Sequence, residues 1–155
     1  MVVAAMTSGP SLKARALRYL ARREHSRLEL ERKLAPHAKT SEDLSSVLDT
    51  LEQRGFLSAM RMVEQVIHMR KNKFGSRRIV HELREKGIAE NLIAAALPNI
   101  RETEQDSARE VWRKKFGAMP ADAKELGRQM RFLMGRGFTP EVIRQVLRQS
   151  DTEEA

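Results

Sequence analysis

The sequence has no cysteine, which excludes disulfides, thiolate metal sites and cysteine nucleophiles, and with them a disulfide-stapled secreted domain. Aromatic residues are few, at 5% of the chain against 32% charged, a balance closer to helix-rich amphipathic chains than to β-sandwiches. Long apolar runs are lacking too. The longest covers 92–98 and falls far short of the ~20 residues of a membrane span. Catalytic signatures are missing: there is no G-x-x-x-x-G-K-[ST] loop, no G-x-S-x-G elbow and no G-x-G-x-x-G. None of His25, His37, His68 and His81 has a second His three or four residues away, and His81-Glu82 lacks the partner of a zinc-protease helix. Glu102 with Asp106, and Glu82 with Glu85, share helix faces, which is ordinary on exposed helices and not the mark of a carboxylate dyad. The expectation is a non-enzyme with no metal, no cofactor and no membrane contact. Residues 1–10 lack the basic and long apolar regions of a signal peptide, so a flexible leader and a cytoplasmic location are expected.

Basic charge is what the chain has in excess, with 29 Lys and Arg against 21 Asp and Glu, a net charge of +8. Such an excess points to a polyanionic or acidic partner. It is densest over 55–100, where 8 basic residues face 4 acidic ones; over 101–155 the counts are 11 and 10.

Internal repetition is the stronger signal. Leu83, Ile93, Ala96 and Leu97 recur as Leu133, Ile143, Val146 and Leu147, and again as Leu34, Leu44, Val47 and Leu48, at offsets of 50 and 49 residues. Offsets of ten, thirteen and fourteen from the anchoring Leu place three apolar side chains on one helical face. Gly87 and Gly137 stand where a left-handed residue ends the preceding helix. Ala38 holds that place in the first unit, so its turn is expected to be built differently, with Pro36 stopping the helix. The spacing predicts three repeats, 11–54, 55–100 and 101–149, each of three helices, with a flexible tail at 150–155. Helices are expected near 11–23, 26–35, 40–54, 58–72, 76–86, 89–98, 103–116, 121–135 and 139–149. Start signals agree: Ser11, Ser26 with Glu29 at capping-box spacing, Ser41, Ser58, Ser76, Ala89-Glu90 and Thr139-Pro140-Glu141. No alternating stretch justifies a strand. The fold class is all-α.

The wording inside these units is more specific than their periodicity. ALRYLARREHSRLELERKL at 16–34, GSRRIVHELREKGI at 75–88 and FLMGRGFTPEVIRQVL at 132–147 closely resemble the RecX family of regulators of the RecA recombinase. The resemblance covers roughly 12–149. Its most telling residues are Gly75, Arg78, Ile79, Glu82, Leu83, Lys86, Gly87 and Ile88, supported by 22–26 and by Arg136-Gly137-Phe138. After Gly55-Phe56-Leu57-Ser58 the family usually carries an Asp and an aromatic residue, where this chain has Ala59, Met60 and Met62. The resemblance implies three tandem three-helix repeats in an elongated, curved monomer. That monomer lies in the groove of a RecA filament on single-stranded DNA and limits its growth, ATPase, strand exchange and coprotease activity.

Candidate contacts are the basic clusters. Arg70, Lys71, Lys73, Arg77 and Arg78 surround a turn that opens a helix, where free backbone amides already favour anions, and Lys86 follows at the helix end. Arg22, Arg23 and Arg27, then Arg113, Lys114 and Lys115, and then Arg128, Arg131 and Arg136 form further basic faces. The plain reading of such faces is solvation and pairing with Glu24, Glu29, Glu110 and Glu125. Phe74, Trp112 and Phe116 read as core packing, as do the methionines. The alternative function is a DNA-binding module of helix-turn-helix type. It needs a recognition helix rich in exposed Arg, Asn or Gln, and 92–97 is mostly apolar.

Overall fold

The computed structural model describes residues 9–154, which form nine α-helices with no strand among them. These are α1 (Leu12–Arg22), α2 (Arg27–Leu34), α3 (Ser41–Gln53), α4 (Ala59–Arg70), α5 (Ser76–Glu85), α6 (Glu90–Glu102), α7 (Glu104–Lys115), α8 (Ala123–Gly135) and α9 (Pro140–Glu154). The all-α repeat architecture is the one expected. Residues 1–8, most of the expected leader, lie outside the described residues.

Local chemistry explains most helix ends. Ser11 Oγ accepts from Ala14 N–H at 3.1 Å, and Ser26 and Glu29 form the reciprocal capping box at the start of α2. Ala38, at φ −86°, takes no left-handed turn; a short 3₁₀ helix, Ala35–His37 with Pro36 inside it, ends the segment instead. Gly55, Gly87 and Gly137, at φ 78°, 77° and 89°, make the left-handed turns after α3, α5 and α8.

Several ends differ from expectation. The α3 cap is Thr40, whose Oγ1 accepts from Asp43 N–H at 3.0 Å, and Ser41 is already helical. Helix α8 starts at Ala123, capped by Asp122. Helix α6 does not end near Pro98 but runs to Glu102. Pro98 and Ala94, the carbonyl it leaves without a donor, are both exposed, so water can serve that carbonyl, while Ile100 beyond is buried and holds the extra turn to the core. The tail expected from residue 150 is helical to Glu154, because no Gly or Pro interrupts the chain after Pro140. The methionines do not all pack inside: Met60, Met69 and Met134 are exposed.

The chain divides into two compact units, one reaching Met62 and including Lys86–Ile88, the other holding Val63–Glu85 and Ala89 onward. In the first, Leu44, Leu48 and Leu51 on one face of α3 pack with Ala16, Leu30, Leu34 and Leu57. Each fully buried Leu contributes roughly 1.5–3 kcal/mol. Gly87 lies against Leu28. His25 is buried between the backbone and a cation: Nδ1–H donates to Arg23 O at 3.1 Å, and Nε2 accepts from the Lys33 ammonium at 2.8 Å, since Lys can only donate. Burial, reinforced by the Arg23 and Lys33 charges and opposed by the Arg23 carbonyl, lowers its pKa below 6.5. Glu29 caps α2 while pairing with Arg23 at 2.9 Å and Lys86 at 3.3 Å. Burial alone raises its pKa, but the hydrogen bonds from Arg23 and Ser26 N–H and the Lys86 charge outweigh that and bring it to about 2 from 4.5.

In the second unit, Ala108 and Trp112 of α7 pack with Leu133 of α8 and with Phe138, Ile143, Val146 and Leu147. Trp112 Nε1–H donates to the buried Gln129 Oε1 at 2.8 Å, and Gln129 Nε2 donates to Ala118 O at 3.1 Å. The loop before α5 docks directly on the turn after α8. Gly75 N–H donates to Arg136 O at 2.8 Å and Arg77 N–H to Gly137 O at 3.0 Å. The backbones meet so closely that a Cβ at Gly75 would overlap the Gly137 carbonyl and Phe138 Cα, and one at Gly137 would overlap Arg78.

Two stability predictions follow from these contacts. Gly75→Ala should cost at least ~3 kcal/mol in urea unfolding, because backbone must move to admit the methyl. Gly55→Ala, at a left-handed turn opening on empty space, should cost only ~1 kcal/mol; equal losses at the two sites would refute the clasp. Because the folded Glu29 pKa lies below its ordinary value, its stabilisation is complete above pH 4.5 and declines as pH falls towards 2. Glu29→Gln should therefore be less stable than the parent at neutral pH and show a shallower decline over that window, read from unfolding midpoints in a pH series.

Candidate nucleic-acid or protein interface

The basic turn between α4 and α5 is shaped by its own backbone. Lys73 and Phe74 N–H both donate to Arg70 O, at 3.0 and 2.9 Å, which folds 70–74 back on the end of α4. Phe74 is half-buried, and its ring seats guanidinium groups. The Arg78, Arg136 and Arg70 guanidinium carbons lie 4.5, 5.4 and 5.9 Å from the ring centroid. Each such contact is worth about 0.5–1 kcal/mol where solvent reaches it. Arg70 is neutralised by Glu82, its Nε donating to Oε1 at 2.9 Å. Arg136 donates to Lys73 O at 3.4 Å, which ties it to the turn without using a carboxylate. Lys71, Lys73, Arg77 and Arg78 have no described carboxylate within ion-pairing distance, and all but the half-buried Lys71 are exposed. The fold thus brings Lys71, Lys73, Arg77, Arg78 and Arg136 to one turn as five cations with no acidic partner among the described residues.

Against expectation, three of the amides at the start of α5 are already taken and are not offered to anions. Gly75 and Arg77 N–H are taken by Arg136 and Gly137 carbonyls, and Ser76 N–H by Glu104 Oε2 at 2.8 Å. Ser76 is itself the first helical residue and is buried, so it is not the cap. Any anion here meets side chains, chiefly guanidinium and ammonium groups, in place of a helix terminus.

The remaining sequence candidates are placed elsewhere or are already paired. Arg23 pairs with Glu29 and also donates to Glu24 O at 2.8 Å. Arg27 pairs with Asp49 and Glu52 at 2.8 and 3.0 Å. Lys86, mostly buried, holds Glu29. Arg22 is exposed in the first unit with no described acidic partner. In the second unit Arg113 and Lys114 pair with Glu110, and Arg128 with Glu125. Arg131 lies along its own helix, near Gly127. Lys115 stands 5.3 Å from the Phe132 ring.

Glu104 is the residue supporting the turn that sequence reasoning passes over. It is 4% exposed, and its carboxylate serves the first amide of α5. The signal is present: Glu104 precedes Ala108 by four residues and Trp112 by eight, so it continues the buried stripe of α7. An acidic residue on such a stripe calls for a partner. Among the described residues no helix is long and apolar enough to cross a membrane, and no group of His, Asp and Glu is arranged to hold a metal.

Comparison with known proteins fits this arrangement. Residues 60–97 match the family model for the RecX second three-helix domain, and residues 102–147 that for the RecX third three-helix domain. The regulatory protein RecX of Leptothrix cholodnii is 55% identical over 143 residues, covering 92% of this chain and 91% of its own. That of Chromobacterium violaceum is 48% identical over 139 residues, covering 90% of each. The crystal structure of RecX from Lactobacillus salivarius superposes with a TM-score of 0.81 at 20% identity, covering 91% of this chain and 95% of that one. With more than half of its residues shared with one such relative along nearly the full length of both, the chain belongs to the RecX family of regulatory proteins.

Proposed function

We propose that this chain is a non-catalytic regulator that binds RecA filaments on single-stranded DNA and limits their growth, ATPase, strand exchange and coprotease activity. The observation that carries the reading to particular residues is the group of cations Lys71, Lys73, Arg77, Arg78 and Arg136, none with an acidic partner among the described residues, at the turn that holds Phe74. A filament on DNA offers phosphates and subunit carboxylates, and guanidinium groups can grip either in a bidentate fork. Seating Arg78 and Arg136 on an aromatic ring restricts them before a partner arrives, which lowers the entropic cost of ordering them on binding. The protein works as a monomer in the cytoplasm on this reading. The helix-turn-helix alternative is weaker, since the exposed residues of α6 before Arg101 are Glu90, Asn91, Ala94, Ala95, Pro98 and Asn99. That surface has no Lys or Arg to read bases or phosphates.

The test is the DNA-dependent ATPase of RecA on single-stranded DNA, with this protein titrated from far below to equal concentration. Inhibition well below stoichiometry is expected; no inhibition at equal concentration, with tight binding to bare DNA at the same salt, would overturn the reading. Reversing Arg77 and Arg78 together should raise the half-inhibitory concentration by about tenfold or more. An unchanged inhibitory curve for a variant with the parent's melting temperature would remove the turn from the interface.

A further inference from the structure

A groove in the second unit uses two cations of the turn together with residues of α7 and α8. Lys73, Lys114, Lys115 and Arg136 line a volume of about 470 Å³, with Val111 and Phe132 as its apolar residues. Glu110 is the only carboxylate among the described lining residues, and it already pairs with Arg113 at 2.6 Å and Lys114 at 3.7 Å. The groove therefore presents four cationic groups to a site in which the one acidic side chain is shared. Its size suits a small organic molecule better than a bare inorganic anion.

The arrangement of the rings argues about the kind of anion. A track for single-stranded nucleic acid uses successive aromatic rings with open faces. Here Phe132 is the only aromatic residue among the described lining residues, one ring where a track needs a succession. Lys115 and Arg136 each stand 5.3 Å from its centroid, and Phe116 meets it edge-on at 5.5 Å. The groove offers concentrated positive charge beside a small apolar surface, Val111 and Phe132, that a single flat ring can cover.

We propose that this groove binds a nucleoside polyphosphate, with Lys73, Lys114 and Lys115 on the phosphates and the base against Val111 and Phe132. The ligand class follows from joining the two halves of the site: a polyphosphate satisfies several cations at once, and a single base fits the limited apolar surface. The site needs no recombinase to form, because every lining residue lies in the second unit. It adds a small-molecule activity to the filament reading and does not rest on it.

The test is isothermal titration calorimetry of the full chain at low salt, with ATP, tripolyphosphate and a short oligothymidylate as separate titrants. One ATP should bind per chain with a Kd of about 10–100 µM. Tripolyphosphate should bind about tenfold more weakly, for want of a base to stack. The double variant Lys73→Glu with Lys115→Glu should weaken ATP about tenfold or more, whereas Lys124→Glu, exposed and outside the groove, should stay within about twofold. No saturable heat with ATP up to millimolar concentration would overturn the proposal. So would tripolyphosphate binding as tightly as ATP, which marks a bare anion site. Equal losses in the Lys124 variant would mark diffuse charge. Oligothymidylate binding more tightly than ATP, and lost in the double variant, would assign the groove to a strand. The titration contains no recombinase, so its failure and the failure of the filament reading are separate results.

Discussion

The meeting of two backbones at Gly75 and Gly137 is the constraint on which the second unit depends. Hydrogen bonds from Gly75 N–H and Arg77 N–H to Arg136 O and Gly137 O need main chains closer than any side chain permits. Two glycines therefore face each other, one of them in a left-handed turn. This contact decides where α5 begins, because it occupies the amides that a helix start otherwise leaves open. Glu104 completes the task by taking Ser76 N–H. With the amides of residues 75–77 spent, the chemistry of the turn passes largely to its side chains.

The same contact explains why the cations gather. Arg136 follows α8 and Arg78 lies in the first turn of α5; the glycine pair brings their chain segments together, and Phe74 holds both guanidinium groups over one ring. In the first unit the basic residues are spent differently. Arg23 and Lys86 converge on Glu29, and Arg27 on Asp49 and Glu52, so much of that charge serves to fix helix ends. The exposed Arg27 pairs add little stability singly, but all of these contacts remove their cations from the set available to a partner. A uniform count of basic residues thus misjudges where attraction is strongest.

Much of the fold is legible in the sequence because it is written in local terms. The fifty-residue periodicity, the capping box at Ser26 and Glu29, and the glycines at 87 and 137 each encode short-range geometry that any chain must obey. What escapes is non-local. Ser76 has the composition of a cap and is not one, because a carbonyl from residue 137 and a carboxylate from residue 104 do its work. Pro98 reads as a stop, yet burial of Ile100 carries the helix past it. At the site, sequence finds the basic residues but not their state: nothing in the order of letters says that Lys86 is held by Glu29 while Arg78 has no acid beside it. Charge is countable along a chain, whereas pairing depends on which segments the fold brings together.

The contact between Arg136 and the carbonyl of Lys73 spans 63 residues. Joining segments so far apart costs loop-closure entropy that only formed neighbouring structure can offset. The helices α7, α8 and α9 share a core drawn from closer in the chain, and they can assemble before the distant turn arrives. On loop-closure grounds the glycine clasp is expected to form after that core, so that the cationic turn is completed when the rest of the unit is in place. Partly folded chains expose these basic residues without their ring-seated geometry, so the surface that a partner reads is a report that folding has finished.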